Sequence, residues 1–305
     1  MANKTISFTL VLSGLSDLPS LQFPLFLVFL LVYLMTLTGN LLIVLLIFTD
    51  SHLQTPMYFF LGTLACLDIG YSSVTMPRML FDFHIQKRFI SIQACITQIF
   101  FFLLFAMSEI ALLAVMSYDR YVAICCPLLY TQIMHWKACV LLVLGVLMVS
   151  VVYSLVHVLL LLKLIFCSLN PLQSFFCDLP QLLLVSCSDT FINVLLILIL
   201  VIFLGGGIFA LTFCPYIIIL NTIMKMSKAM RSKAFSTCSS HLTIVFIFYG
   251  TCLFSYFHPN AKDNSAVDKV SSVCYTILTP LVNPLIYSLR NKEMKMSLKR
   301  AFCRL

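Results

Sequence analysis

The sequence predicts an all-α membrane protein, a bundle of seven membrane-spanning helices with a short amphipathic C-terminal helix. Composition is the first reason. Of 305 residues, 61% are hydrophobic and 10% charged, where ordinary soluble domains carry about 25% charged, and the mean hydropathy is +1.06. Segmentation is the second: seven apolar stretches reach the roughly 20 residues that cross a hydrocarbon core. The third is that Lys and Arg flank these stretches unevenly, so the net charge of +8 reads as an orientation signal. No nucleic-acid partner is expected.

Residues 1–22 show no basic region, apolar core and small-residue cleavage site, so the first span is expected to serve as its own targeting signal. The spans are expected at 23–48, 57–83, 92–124, 138–162, 191–224, 234–257 and 270–289. One side holds Arg120, Lys137, Lys225, Lys228, Arg231, Lys233, Arg290, Lys292, Lys295, Lys299, Arg300 and Arg304. The other holds Lys4, Arg78, Lys87, Arg88, Lys163, Lys262 and Lys269. The richer side is expected to be cytoplasmic. That gives an extracellular N-terminus (1–22), one membrane domain (23–290) and a cytoplasmic amphipathic tail (291–305). The only glycosylation sequon, Asn3-Lys4-Thr5, falls on the outer side, so Asn3 is the candidate glycan acceptor.

The second span carries Asp68, and the third carries Glu109 and ends in Tyr118-Asp119-Arg120-Tyr121. A carboxylate within the bilayer costs about 2.5–3.5 kcal/mol, so Asp68 and Glu109 must face the bundle interior. Asn283 of the seventh span is placed to join them. Two readings stand side by side: a sodium ion held by Asp68, Glu109 and Asn283, or a protonated, hydrogen-bonded structural cluster. On one helix rising ~1.5 Å per residue, Cys95 and Arg120 lie about 37 Å apart. Glu109 and Arg120 share roughly one side, as do Phe102, Ala106 and Glu109. A charged pair at a membrane boundary, on the same rod as an outer cysteine, suggests a switch.

The outer segment from Lys163 to Thr190 carries Cys167, Cys177 and Cys187. With Cys95 these make four outer cysteines, whose spacing leaves three pairings open. In the fifth span, Gly205-Gly206-Gly207 reads as a flexible or close-packed helix site. The sixth opens as KAFSTCSSHL, with basic and small hydroxyl residues leading to His241. The seventh ends in TPLVNPLIYSLRN, where Pro280 and Pro284 remove backbone donors and bend the helix. Asn283 is positioned to re-satisfy the freed groups, and Tyr287 lies one turn further in. In the tail, Met294, Leu298 and Phe302 recur every four residues among Lys292, Lys295, Lys299 and Arg300, as in a helix lying on the inner leaflet lipids. Cys303 there is a candidate for palmitoylation, with a free thiol as the plain alternative.

Phe102, Leu103, Ala106, Met107, Leu200, Val201, Leu204, Cys252, Tyr256 and Val273 are the expected inward positions of the outer half. Apolar walls with few hydroxyls suit a small hydrophobic ligand. The sequence shows no metal-spaced Cys/His set, phosphate-binding glycine loop or Ser-His-Asp order.

Five segments in order and spacing carry a resemblance: LQTPMYFFL (53–61), MSYDRYVAICCPLLY (116–130), SFFCDLPQLLLVSCSD (174–189), KAFSTCSSHL (233–242) and PLVNPLIYSLRN (280–291), with Gly39-Asn40 before them. The chain resembles the rhodopsin-like G-protein-coupled receptors and, within them, the olfactory receptors, over almost its whole length. The resemblance implies disulfides Cys95–Cys177 and Cys167–Cys187. It implies a resting contact between Arg120 and Asp119, and switch or coupling roles for Tyr121, Tyr216, His241, Tyr249, Asn283, Pro284 and Tyr287. It further implies a volatile or hydrophobic ligand, a stimulatory heterotrimeric G protein that raises cyclic AMP, a trafficking partner, and a multi-pass plasma-membrane location. Gln54, Ser117, Ser174, Pro215 and His258 depart from the family pattern, the outer ones bearing on ligand preference. A receptor for a non-odorant hydrophobic ligand is the nearest alternative; a transporter or channel is a more distant one, without internal repeats to support it.

Overall fold

The computed structural model describes residues 9–15, 18–85, 88–166, 172–227, 238–239, 241–250, 269–270, 272–290 and 292–302. Five helices among them are long and apolar enough to cross a membrane: α1 (Pro19–Thr49), α2 (Pro56–Ile85), α3 (Ile92–Cys125), α4 (Trp136–Leu161) and α5 (Phe191–Met224). The shorter α6 (His241–Gly250) follows. Then comes α7 (Thr279–Arg290), entered through a π-helical turn at Cys274–Leu278. Helix α8 (Lys292–Phe302) ends the series. The expected sixth and seventh spans lie only partly within the described residues.

These helices are apolar around most of their circumference, because lipid rather than water is the outer solvent. Phe23 and Leu31 on α1, Leu141 and Met148 on α4, and Ile202, Phe203 and Leu211 on α5 are all exposed. Helix α3 sits at the centre, packed against α2, α4 and α5. Its inner half joins Leu61, Leu64, Leu112, Leu113, Met116, Ile244 and Val245 in one core. Hydroxyls in the bilayer have no water to bond, so they return to carbonyls of their own helix. Thr36 donates to Val32 (2.9 Å), Ser108 to Leu104 (2.7 Å), Ser150 to Val146 (2.8 Å) and Thr212 to Ile208 (2.8 Å).

Two features differ from the sequence reading. The Gly205-Gly206-Gly207 run is not a close-packed site, since a Cβ at any of the three would meet open space. It instead adjoins a π-helical turn at Val201–Gly205, where the hydrogen-bond ladder loosens. The carbonyl of Pro280, left without its usual donor by Pro284, is satisfied by Asn40 Nδ2 at 3.1 Å rather than by Asn283. Gly39 allows this approach, because a Cβ there would stand 3.3 Å from the Pro284 ring.

The outer surface carries a small ribbon that periodicity did not reveal. β1 (Thr9–Val11) pairs antiparallel with β2 (Phe89–Ser91), with Leu10 opposite Ile90. Leu172 N–H donates to Val11 and Ser13 N–H to Leu172, both at 2.8 Å, so the N-terminal segment ties two outer loops together. At the inner end, α8 is docked on the bundle. Met294 is buried in the inner core, with Leu298 and Ala301 packed on it. Tyr58 donates to Glu293 at 2.7 Å and Arg300 to Asp50 at 2.5 Å. The apolar side of the tail, expected on lipid, thus packs at least in part on protein. The Phe302 side chain lies outside the described residues.

Candidate functional site

The inner end of α3 holds its charges in a closed arrangement. Asp119 and Arg120 are both buried. Arg120 Nε donates to Asp119 Oδ2 at 3.0 Å, and Nη2 reaches the same oxygen. Tyr130, in the short helix Tyr130–Ile133 of the next loop, donates to Asp119 Oδ1 at 2.9 Å. Burial, with the adjacent Asp119, pushes the Tyr130 hydroxyl well above the usual phenol range, so it stays a donor. Sequence reasoning missed Tyr130, although it ends the quoted third-span motif. Tyr121 packs between the inner core and the cluster of Tyr216, Ile219, Ile223 and Cys238. The Tyr216 hydroxyl and His241 Nδ1 are hydrogen-bonded, joining α5 to α6. Tyr249 faces Thr212 Oγ1 at 3.3 Å across the same seam. The Tyr287 side chain lies outside the described residues.

Halfway along α3, the expected carboxyl network forms. Asn283 Nδ2 lies 3.0 Å from both oxygens of Asp68. Glu109 faces Asp68, and its Oε1 is buried without a partner. Asp68, Glu109 and Asn283 are each at most 4% exposed. Among the described residues no group of three or more His, Cys, Asp or Glu side chains converges in a way that could hold a metal ion.

In the outer half the expected pocket residues divide between two walls. Phe102 lies in an aromatic cluster, its ring centroid 5.2 Å from Tyr71, 5.1 Å from Phe176 and 6.3 Å from Tyr275. Leu103, Ala106 and Val273 pack against this cluster. Met107 belongs to a second group with Ala114, Ile208, Tyr153 and Leu204, on the α4–α5 side. Leu200 is half-buried and Val201 about half exposed. Cys252 and Tyr256 lie outside the described residues.

The outer lid is fixed to α3 in two ways. Cys95 and Cys177 are disulfide-bonded, with a Cα–Cα distance of 5.4 Å. Gln98 accepts from Cys177 N–H at 2.9 Å and donates to the Val74 carbonyl at 2.9 Å, linking α2, α3 and the loop. Phe175 and Phe176, beside Cys177, are driven into the bundle by these tethers. An apolar pair next to an outer cysteine was the available signal for them. Asp178 follows, half-buried, its carboxyl raised to about 6 by burial against the opposing pull of the Leu179 N–H and the Tyr275 hydroxyl. Cys187 is also disulfide-bonded; its expected partner Cys167 lies outside the described residues, as do Asn3 and Cys303.

Along α3 the structure sets two apolar clusters beneath a tethered loop at the outer end, a carboxyl network midway and a clasped charge pair at the inner end. Comparison with known proteins agrees. A family model described as olfactory receptor matches residues 29–305. Human olfactory receptor 8G1 is 48% identical over 95% of this chain and 94% of its own length. Human olfactory receptor 5B12 is 46% identical over 98% and 96%, and mouse olfactory receptor 8G17 is 48% identical over 95% of each. The crystal structure of squid rhodopsin, at 18% identity, superposes with a TM-score of 0.71 over 94% of this chain and 87% of that one, which speaks to the fold. The chain belongs to the olfactory receptor family.

Proposed function

We propose that this receptor binds a small hydrophobic or volatile molecule between the Phe102–Phe176–Tyr275 cluster and the Met107–Leu204 wall. Binding there activates a stimulatory G protein at the inner face and raises cyclic AMP. The observation that carries the reading is the single helix α3. It touches both pocket walls, presents Glu109 to the midway network and ends in the Arg120–Asp119–Tyr130 clasp. A ligand that shifts α3 against α5 and α6 moves Arg120 relative to the neighbouring Tyr216, Cys238 and His241. The family is one of receptors, not enzymes. It is seated in the plasma membrane by several spans, and the outer disulfides and Lys/Arg asymmetry support an extracellular N-terminus. A trafficking partner and lipid contacts at α8 belong to the same reading.

The test is an odorant screen with a cyclic AMP reporter in cells that bring the receptor to the surface. Agonist-dependent cyclic AMP is expected, and Arg120→Ala is expected to abolish it while surface staining persists. A receptor present at the surface yet silent across a broad panel would refute the reading.

We also propose that Asp68 and Glu109, with Asn283, hold a sodium ion in the resting state. Hard oxygen donors suit it, and the buried, unpartnered Glu109 Oε1 is a free ligand position. Thermal stability of the purified receptor should then rise with sodium but not with choline, and Glu109→Gln should remove the difference.

A further inference from the structure

Helix α4 contributes a polar group that no part of the switch uses. Its inward stripe is Cys139, Val146, Ser150, Ser154, His157 and Leu161, all buried, while Leu155 and Leu159 on the other side are exposed. On that stripe, Ser150 and Ser154 satisfy themselves with carbonyls of their own helix at 2.8 and 2.9 Å. His157 does not: it is 2% exposed, and its Nε2 is buried with no partner. A buried polar nitrogen without a partner costs about 1–3 kcal/mol, which calls for a role.

The surroundings indicate one. The His157 ring meets Tyr153 edge-on, with centroids 4.7 Å apart, and Tyr153 packs in the wall of Met107, Ile208 and Leu204. Helix α4 runs antiparallel to α3. Val146 shares a core with Leu112 and Leu113, and Leu161 with Ile96 and Ile99. His157 therefore lies near the depth of Phe102, at the outer end of the proposed chamber, with Tyr153 one turn deeper.

We infer that His157 is the polar anchor of the ligand pocket, its free nitrogen hydrogen-bonding the oxygen of a small apolar molecule that bears one hydroxyl or carbonyl group. The inference rests on the odorant-receptor reading and narrows its ligand class. An imidazole nitrogen donates or accepts according to tautomer, so it serves a carbonyl as a donor and a hydroxyl as either. Tyr153 holds the ring edge-on, which limits its rotation. Hydrocarbons of the same shape fill the greasy walls but leave Nε2 unmatched.

The test compares 1-octanol, octanal, 2-octanone, menthol and carvone with the oxygen-free octane and limonene, read as cyclic AMP with surface staining as control. Oxygenated members are expected to be the more potent agonists. His157→Phe and His157→Met should cost them about ten-fold or more in potency, while His157→Gln, which keeps a donor and an acceptor, retains most of it. Unchanged potency in either apolar variant at the surface overturns the anchor. If neither apolar variant reaches the surface, equal potency of oxygenated and oxygen-free members on the unaltered receptor overturns it instead, and a clear oxygen preference supports it. Silence to every compound sinks the odorant-receptor reading, and this inference with it.

Discussion

The two ends of α3 are held in different ways. At the inner end, contacts are directional and polar: Arg120 to Asp119, Tyr130 to Asp119, Tyr216 to His241. At the outer end, rings and aliphatic chains pack around Phe102 without a fixed bonding pattern, and a disulfide with the Gln98 hydrogen bonds holds the lid. Directional contacts select one geometry and lose it sharply. Apolar walls tolerate substitution, because volume and burial matter more than angle.

The sharpest test of the contrast is to remove the charge at the inner end. Asp119→Asn leaves Arg120 buried without its counter-charge, which should cost the resting form about 3–5 kcal/mol and raise basal cyclic AMP in the absence of ligand. Normal basal signalling and an unchanged melting temperature would show that the clasp is not holding the resting state. At the other end, Cys95→Ser removes the covalent tether across 82 residues. Loss of a disulfide costs about 2–5 kcal/mol, so surface receptor should fall steeply, measured by staining of intact cells.

A smaller effect is expected from Gly70→Ala between α2 and α3. The added Cβ would stand 2.4 Å from the Phe105 ring. Phe105 packs on both the inner core and the aromatic cluster, so it has to rotate. A cost near the lower end of about 1–3 kcal/mol is expected, with altered agonist rank order and intact G-protein coupling. A change confined to coupling would contradict the placement of Phe105 beside the pocket.

The smallest effect concerns Asp178. Its carboxyl is raised to about 6 from an ordinary 3.8, so the fold favours the neutral acid. That contribution is fully present below about pH 4 and is lost as pH rises through about 6. The detergent-solubilised receptor should therefore melt slightly higher at about pH 5 than at about pH 7.5, relative to an Asp178→Asn variant in which this component is flat. A parallel dependence in the variant would remove Asp178 as its source.

Much of the inner end is legible in the sequence, because charges in an apolar helix have few options. Asp119, Arg120, Asp68 and Glu109 stand out against apolar neighbours, and the cost of burying them dictates that they face inward and meet. Tyr130 escaped notice because its partner depends on how the loop after α3 folds back. Asn40 escaped because its target, the Pro280 carbonyl, is 240 residues away. The outer end is less legible. Leucine and phenylalanine occur on every face of a membrane helix, so period alone does not separate pocket from lipid, as the exposure of Val201 shows.

The sequence by itself determined that the chain is a helical membrane bundle and which family it resembles. Those properties follow from transfer free energies and motif order, both local to the chain. The tertiary structure decided the rest: that Asn40 rather than Asn283 answers the carbonyl freed by Pro284, that Phe175 and Phe176 descend from a loop into the core, and that His157 is left with an unused nitrogen beside Tyr153. Each depends on which helices touch and at what height, and in a bundle apolar on all sides that is set by packing.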